Sequence, residues 1–239
     1  MKYERMLPHE IDRVLAETPI AILPWGALEW HGHHLSVGLD AVKAGAIADL
    51  VADRLAAVSL PPVFCGYQTM KPGRGFKHTL EMSQATVGAL VRDYVSQLAD
   101  EGFKVVVLIT GHYGRRHVET VKFNAGQIAE EVGVKVWALA EYEPVGDLGY
   151  NGDHAGKWET SIFWHLFPEL VHMDRYRTDL TMAEQGVGGE DPSRLASPEL
   201  GKTIVEAIVE RIAAGALKLL EQARAEGVTY KAWKPTVGG

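Results

Sequence analysis

Val105-Val106-Val107-Leu108-Ile109 is an unbroken aliphatic run that stops abruptly at Thr110-Gly111-His112. A strand can be apolar at every position only when both its faces are covered, as in a parallel sheet packed between helices. Pro19-Ile20-Ala21-Ile22-Leu23, ended by Pro24, reads the same way, as does Val134 to Ala140; Val58 to Val63 is a further strand candidate. Helix-length stretches lie between them. Pro8 to Glu17 is short, Ala41 to Ala57 follows Asp40 as its expected N-cap, and Gln84 to Asp100 is capped by Ser83 and closed by Gly102. A helix follows His117 and runs to Glu131, and another opens at Ser197-Pro198-Glu199 and runs to about Ala225. Strands alternating with helices predict βαβ units and an α/β fold with a mostly parallel central sheet.

No low-complexity linker or charge block divides the 239 residues, so a single domain over 1–239 is expected. A formal charge of -7 argues against a nucleic-acid or anionic-membrane partner. No apolar run reaches the ~20 residues of a membrane span. Cys65 is the only cysteine, which excludes an intrachain disulfide. Met1-Lys2-Tyr3-Glu4-Arg5 lacks the apolar core of a signal peptide, so a cytoplasmic protein is expected.

In such sheets ligands bind beyond the carboxyl ends of the strands. Three polar clusters fall there. The first follows Leu23 and runs Glu29-Trp30-His31-Gly32-His33-His34-Leu35, with Asp40 beyond it. Glu29 and His31 are two apart, so in extended chain both side chains face the same way. The second is Thr110-Gly111-His112-Tyr113-Gly114-Arg115-Arg116-His117, and the third is His154-Ala155-Gly156-Lys157-Trp158-Glu159-Thr160-Ser161. Carboxylate with imidazole suits zinc, manganese or iron rather than calcium. Two further stretches border these clusters. Residues 64–82 read as a Gly/Pro-rich loop with Lys71, Arg74, Lys77 and His78, and residues 172–197 read as a partly mobile lid or an oligomer contact.

These clusters resemble the motifs of the creatininase (creatinine amidohydrolase) family. Its Glu-x-His-Gly-x-His-Leu-Pro is matched by Glu29, His31, Gly32, His34 and Leu35, with Ser36 in place of the proline and Asp40 at the family's spacing. Its strand-end Asn-Gly-His is matched by Gly111 and His112, with Thr110 for the asparagine. Its His-Ala-Gly-x-x-Glu-Thr-Ser is matched by His154, Ala155, Gly156, Glu159, Thr160 and Ser161.

The resemblance implies a three-layer α/β/α fold, a symmetric homo-oligomer and two divalent ions. On that pattern Glu29 and His112 hold one ion, His31 and Glu159 the other, and Asp40 bridges them, while His154 is the acid/base or a transition-state hydrogen-bond partner. His34 is expected to orient a ligand, and Tyr113, Arg115 and Trp158 to border the substrate. Some members carry a ligand glutamate where this chain has Gly114. The implied reaction is hydrolysis of a small cyclic amide or a formamide-type C–N bond. The alternatives are hydrolytic opening of a cyclic ketone or lactone of sugar or inositol type, which Arg115 and Lys77 would suit, and a metal-containing binding protein without turnover.

Overall fold

A computed structural model describes residues 1–228. The chain runs through α1 (Pro8–Glu17), β1 (Ile20–Gly26), α2 (Leu39–Leu55), β2 (Val58–Ser59), β3 (Val63–Phe64), α3 (Met70–Arg74), α4 (Gln84–Asp100), β4 (Val105–Thr110), α5 (Arg115–Val132), β5 (Lys135–Ala140), α6 (Lys157–Leu166), α7 (Pro192–Leu195) and α8 (Pro198–Ala225). Every strand pair is parallel, in the order β2-β1-β4-β5, with β3 pairing farther along β1.

The alternation of side chains along each strand divides the core. Ile20, Ile22, Val105, Val107 and Ile109 pack under α2, α6 and α8 on one face. Ala21, Leu23, Trp25, Val106 and Leu108 pack under α4 and α5 on the other. This is the expected three-layer α/β/α architecture, and β1 and β4 are buried at every position.

Several expectations are corrected. Val58 to Val63 is not one strand but two short ones, because Pro61 and Pro62 have no N–H to give to the ladder. Residues 64–82 are not all loop: α3 forms there, with the Thr69 side chain accepting from the Lys71 N–H at its start. Helix α5 begins at Arg115, directly after Gly114, rather than beyond His117. Asp40 is not the cap of α2. Gly38 holds that position without a side-chain hydrogen bond, and Asp40 lies inside the first turn with its carboxylate free for other partners. The Ser83 and Ser197 caps form as expected, their hydroxyls accepting from the Thr86 and Leu200 N–H groups. The tail with Tyr230, Trp233 and Pro235 lies outside the described residues.

Helix α8 packs on α6 at a glycine contact. A Cβ on Gly201 would fall 1.9 Å from the Ser161 carbonyl oxygen. Gly201→Ala is therefore expected to force the two helices apart, at about 1–3 kcal/mol for overpacking. That corresponds to a melting temperature lowered by roughly 3–10 °C in a domain of this size. An unchanged melt by circular dichroism would show that the contact gives way freely.

Candidate metal centre

The centre is built where α2 approaches the ends of β1 and β4. Two glycines permit the approach. A Cβ on Gly26 would lie 2.3 Å from the Ala41 nitrogen, and one on Gly111 would lie 2.3 Å from the Asp40 carbonyl oxygen. Asp40 thus enters the carboxyl edge of the sheet from a helix N-terminus, whose dipole favours an anion there. Its Oδ2 also accepts from the Ala27 N–H at 3.3 Å.

Each oxygen of Asp40 faces a different imidazole. Oδ1 lies 2.9 Å from His31 Nε2, and Oδ2 lies 3.2 Å from His112 Nδ1. Glu29 Oε2 is 2.9 Å from His112 Nδ1, and Glu159 Oε2 is 3.6 Å from His31 Nε2. The donor atoms of Glu29, Asp40 and His112 lie within 4.8 Å of one another, and so do those of His31, Asp40 and Glu159. Asp40 belongs to both groups.

Neighbouring groups fix which nitrogen each ring presents. His31 Nδ1 donates to the Glu29 carbonyl at 3.0 Å, leaving Nε2 toward the acids. His112 Nε2 donates to the Tyr67 carbonyl at 2.9 Å, leaving Nδ1. Behind His112, the buried His117 accepts from the Tyr67 N–H at 3.3 Å and meets Thr110 Oγ1 at 3.3 Å. Thr110, which stands where the family has asparagine, donates to the His112 carbonyl at 3.0 Å.

The electrostatics are those of acids and imidazoles packed without water. Burial by itself would raise the Asp40 carboxyl, but His31 and His112 hold it well below the usual range. Glu29 is likewise lowered against its burial, by His112 and then His154. Burial disfavours the charged His31, yet Asp40, Glu159 and Glu29 raise it to about 9. His112 is raised by Glu29 and Asp40 in the same way. Glu29 Oε2 and His31 Nε2 nonetheless make no aligned hydrogen bond. Two buried atoms without hydrogen-bond partners, beside three carboxylates and two imidazoles whose other nitrogens are already committed, fit divalent-metal ligation.

His154 sits beside this group. Its ring is 4.3 Å from that of His31, Nε2 donates to the Trp30 carbonyl at 2.8 Å, and burial followed by His31 lowers its pKa. Its backbone exchanges hydrogen bonds with Gly188 at 3.1 and 2.7 Å. The glycine-rich stretch within 172–197 therefore clamps the segment that carries His154.

The remaining expected residues divide. His34 turns away from the acids and meets Thr160 Oγ1 at 3.1 Å, tying the His31 loop to α6; burial, then His31, lowers it to about 4. Tyr113 points its hydroxyl behind the centre, as described below. Trp158 stacks on Tyr150 at 5.3 Å, against the core. Arg115 is not at the site: its side chain is 77% exposed and lies 3.7 Å from Glu119, because position 115 opens α5 on its outer face. Lys77 is also exposed.

Sequence reasoning missed the back wall. Lys43, Glu141, Tyr150 and Asp153 were not singled out. Lys43 donates to Tyr113 Oη at 2.6 Å and to Glu159 Oε1 at 2.8 Å, and pairs with Glu141 Oε1 at 2.8 Å. Against the penalty of burial, Glu141 and Glu159 raise its pKa, so it stays an ammonium. Asp153 accepts from the Trp158 and Glu159 N–H groups at the start of α6, and burial, then Glu159, pushes it up to about 7. Two signals were present in the sequence: a lysine interrupting the apolar face of Leu39-Asp40-Ala41-Val42-Lys43-Ala44, and an acid directly after the strand that ends at Ala140.

The profile of the creatininase family, described as creatinine amidohydrolase, matches residues 4–215. Creatinine amidohydrolase of Pseudomonas putida is 29% identical over 233 residues, covering 84% of this chain and 90% of that protein. A mycofactocin precursor peptide peptidase of Mycolicibacterium smegmatis is 28% identical over 162 residues, covering 65% of this chain and 61% of the peptidase. Both are hydrolases of C–N bonds. The crystal structure of a creatinine amidohydrolase superposes with a TM-score of 0.78 at 26% identity, over 90% of this chain and 95% of that one. A manganese creatininase and a zinc–zinc form of a mutant creatininase each superpose at 0.74 with 28% identity, over 90% of this chain and 96% of theirs. With its profile matched over most of its length and its fold shared with solved members, the chain belongs to the creatininase family of metal-binding amidohydrolases.

Proposed function

We propose that this chain is a two-metal hydrolase that opens the C–N bond of a small cyclic amide or a formamide-type substrate. The observation that carries the reading is the division of Asp40, one oxygen toward His31 at 2.9 Å and the other toward His112 at 3.2 Å. In this reading Glu29, Asp40 and His112 hold one ion, and His31, Asp40 and Glu159 hold the other. Zinc or manganese is the fitting metal, as in the solved creatininases. Two such ions lower the pKa of a water from ~15.7 toward about 7 and polarise an amide carbonyl.

The rest falls to the protein. His154 commits Nε2–H to the Trp30 carbonyl, which leaves Nδ1 as the ring's acceptor. Burial and the neighbouring His31 keep that ring neutral, so it can take a proton and return it to the departing nitrogen. The Trp30 carbonyl fixes the imidazole, and Gly188 fixes the His154 backbone. Glu29, His31, Asp40, His112 and Glu159 are all at or below 4% exposure, which favours a compact substrate over a long peptide. The outward placement of Arg115 and Lys77 removes the two residues that a polyol ring would have used.

Turnover of cyclic ureides and formamides by metal-loaded protein, against cyclic polyol ketones and lactones, tests the reaction; activity confined to the ketones or lactones would sink the amide reading. In the same assay His154→Ala is expected to keep both ions and lose about 10²–10⁴ in kcat. Asp40→Ala is expected to lose both ions by elemental analysis and all activity with them. A His154→Ala protein that stays fully active would remove the proposed proton carrier.

Loading the metals should release protons. In the ion-free protein His31, raised to about 9, and His112, raised well above its usual value, are protonated at pH 7. Glu29 and Asp40, held low, are already ionised. Each dication displaces a proton from an imidazole, so affinity should climb as pH rises toward about 9. Calorimetry in two buffers of different ionisation enthalpy reads the count, and zero protons released at pH 7 would contradict it.

A further inference from the structure

The proposed reaction leaves one buried charge without a task. Lys43 has a side chain of 0% exposure, yet each of its three N–H bonds has an acceptor: Tyr113 Oη at 2.6 Å, Glu141 Oε1 at 2.8 Å and Glu159 Oε1 at 2.8 Å. A fully buried lysine is rare unless paired, and a well-packed apolar side chain in its place is often no less stable. Stability therefore does not account for it. What it touches does: Glu159, whose other oxygen faces His31 and Asp40.

We infer that Lys43 is a positioning residue for the ion held by His31, Asp40 and Glu159. This rests on the two-ion reading given above. By occupying Oε1 of Glu159, the ammonium leaves Oε2 alone to serve that ion. Oε2 is itself steadied by the Ala155 N–H at 2.8 Å, so both ends of the carboxylate are fixed before any ion arrives. Lys43 is braced in turn. Tyr113 Oη accepts from it, donates to Glu141 Oε1 at 2.7 Å and lies 2.6 Å from Tyr150 Oη. Glu141 carries the compensating negative charge, so the ammonium adds no net charge beside two cations.

This chain needs such a hold because no carboxylate reaches the centre from position 114. At Gly114, where some members carry a ligand glutamate, a Cβ would come within 2.8 Å of the Gln68 carbonyl oxygen and 3.0 Å of His112 Nε2. No side chain enters from there. Glu159 must therefore present its one free oxygen correctly, without help from a neighbour.

The test is a titration of metal-free protein with manganese(II), read by calorimetry, by elemental analysis and by electron paramagnetic resonance. The double variant Lys43→Met, Glu141→Gln removes the pair without changing the net formal charge. It should keep the ion at Glu29, Asp40 and His112 within about twofold of wild-type affinity. The second ion should bind about 10–100-fold more weakly, the usual effect of losing a group that orients a ligand. The spectrum of a coupled manganese pair should give way to that of isolated manganese. Two ions bound by the double variant at wild-type affinity would overturn the inference and leave the two-ion reading intact. A wild-type chain that takes up fewer than two ions would overturn both. If the double variant does not melt cooperatively, Tyr113→Phe with Glu141→Leu strips two of the three acceptors and leaves the ammonium on Glu159 alone. A weakened second site in that protein supports the inference, and an unchanged one overturns it.

Discussion

The first turn of α2 presses into the ends of β1 and β4, and the centre depends on that contact. The two strand-end glycines, Gly26 and Gly111, let backbone meet backbone at distances no side chain would permit. Asp40 is carried in with the turn. Its carboxylate becomes the one anion that two imidazoles can share, and the helix dipole favours it there. If α2 shifted outward, His31 and His112 would lose their common partner. Glu29 and Glu159 would then stand apart, with no carboxylate common to both metal-ligating groups.

A second constraint is charge. Glu29, Asp40, Glu159 and Glu141 lie within a few residues' width of one another, all nearly or wholly buried. Anions so close cannot share a dry space unless cations join them. Lys43 supplies one on the core side. On the open side the imidazoles do so in the ion-free protein, and metals would do so in the loaded one. The tyrosines close the arrangement: Tyr113 and Tyr150 burden it with no charge, and burial followed by the nearby carboxylates raises both phenols.

The chain resembles the family in most positions of the three motifs and departs at a few within and beside them. Thr110 replaces an asparagine and locks the turn that carries His112 from behind. Gly114 stands where some members carry a ligand glutamate, and α5 starts immediately after it. Glu141, at the end of β5, brings an acid into the same region from a different strand. Substitutions of this kind leave the fold intact, because they sit at or just beyond the carboxyl ends of the strands, where side chains answer to the site rather than to the core.

The aliphatic runs at β1, β4 and β5, the Ser83 and Ser197 caps and the placement of Glu29 and His112 just beyond strand ends were legible in the sequence, because periodicity and capping are local properties. The break between β2 and β3 is also a local property, since Pro61 and Pro62 carry no N–H for the ladder. Arg115 could not be read correctly, since the sequence does not say which side of a helix start faces the site. The Lys43–Glu141 pair spans almost a hundred positions, and neither residue announces the other. By itself, then, the sequence determined which segments become strands and which groups stand at their ends. Only the tertiary structure decided which of those groups meet, because a buried charge takes its partner from whatever the packed layers place within reach.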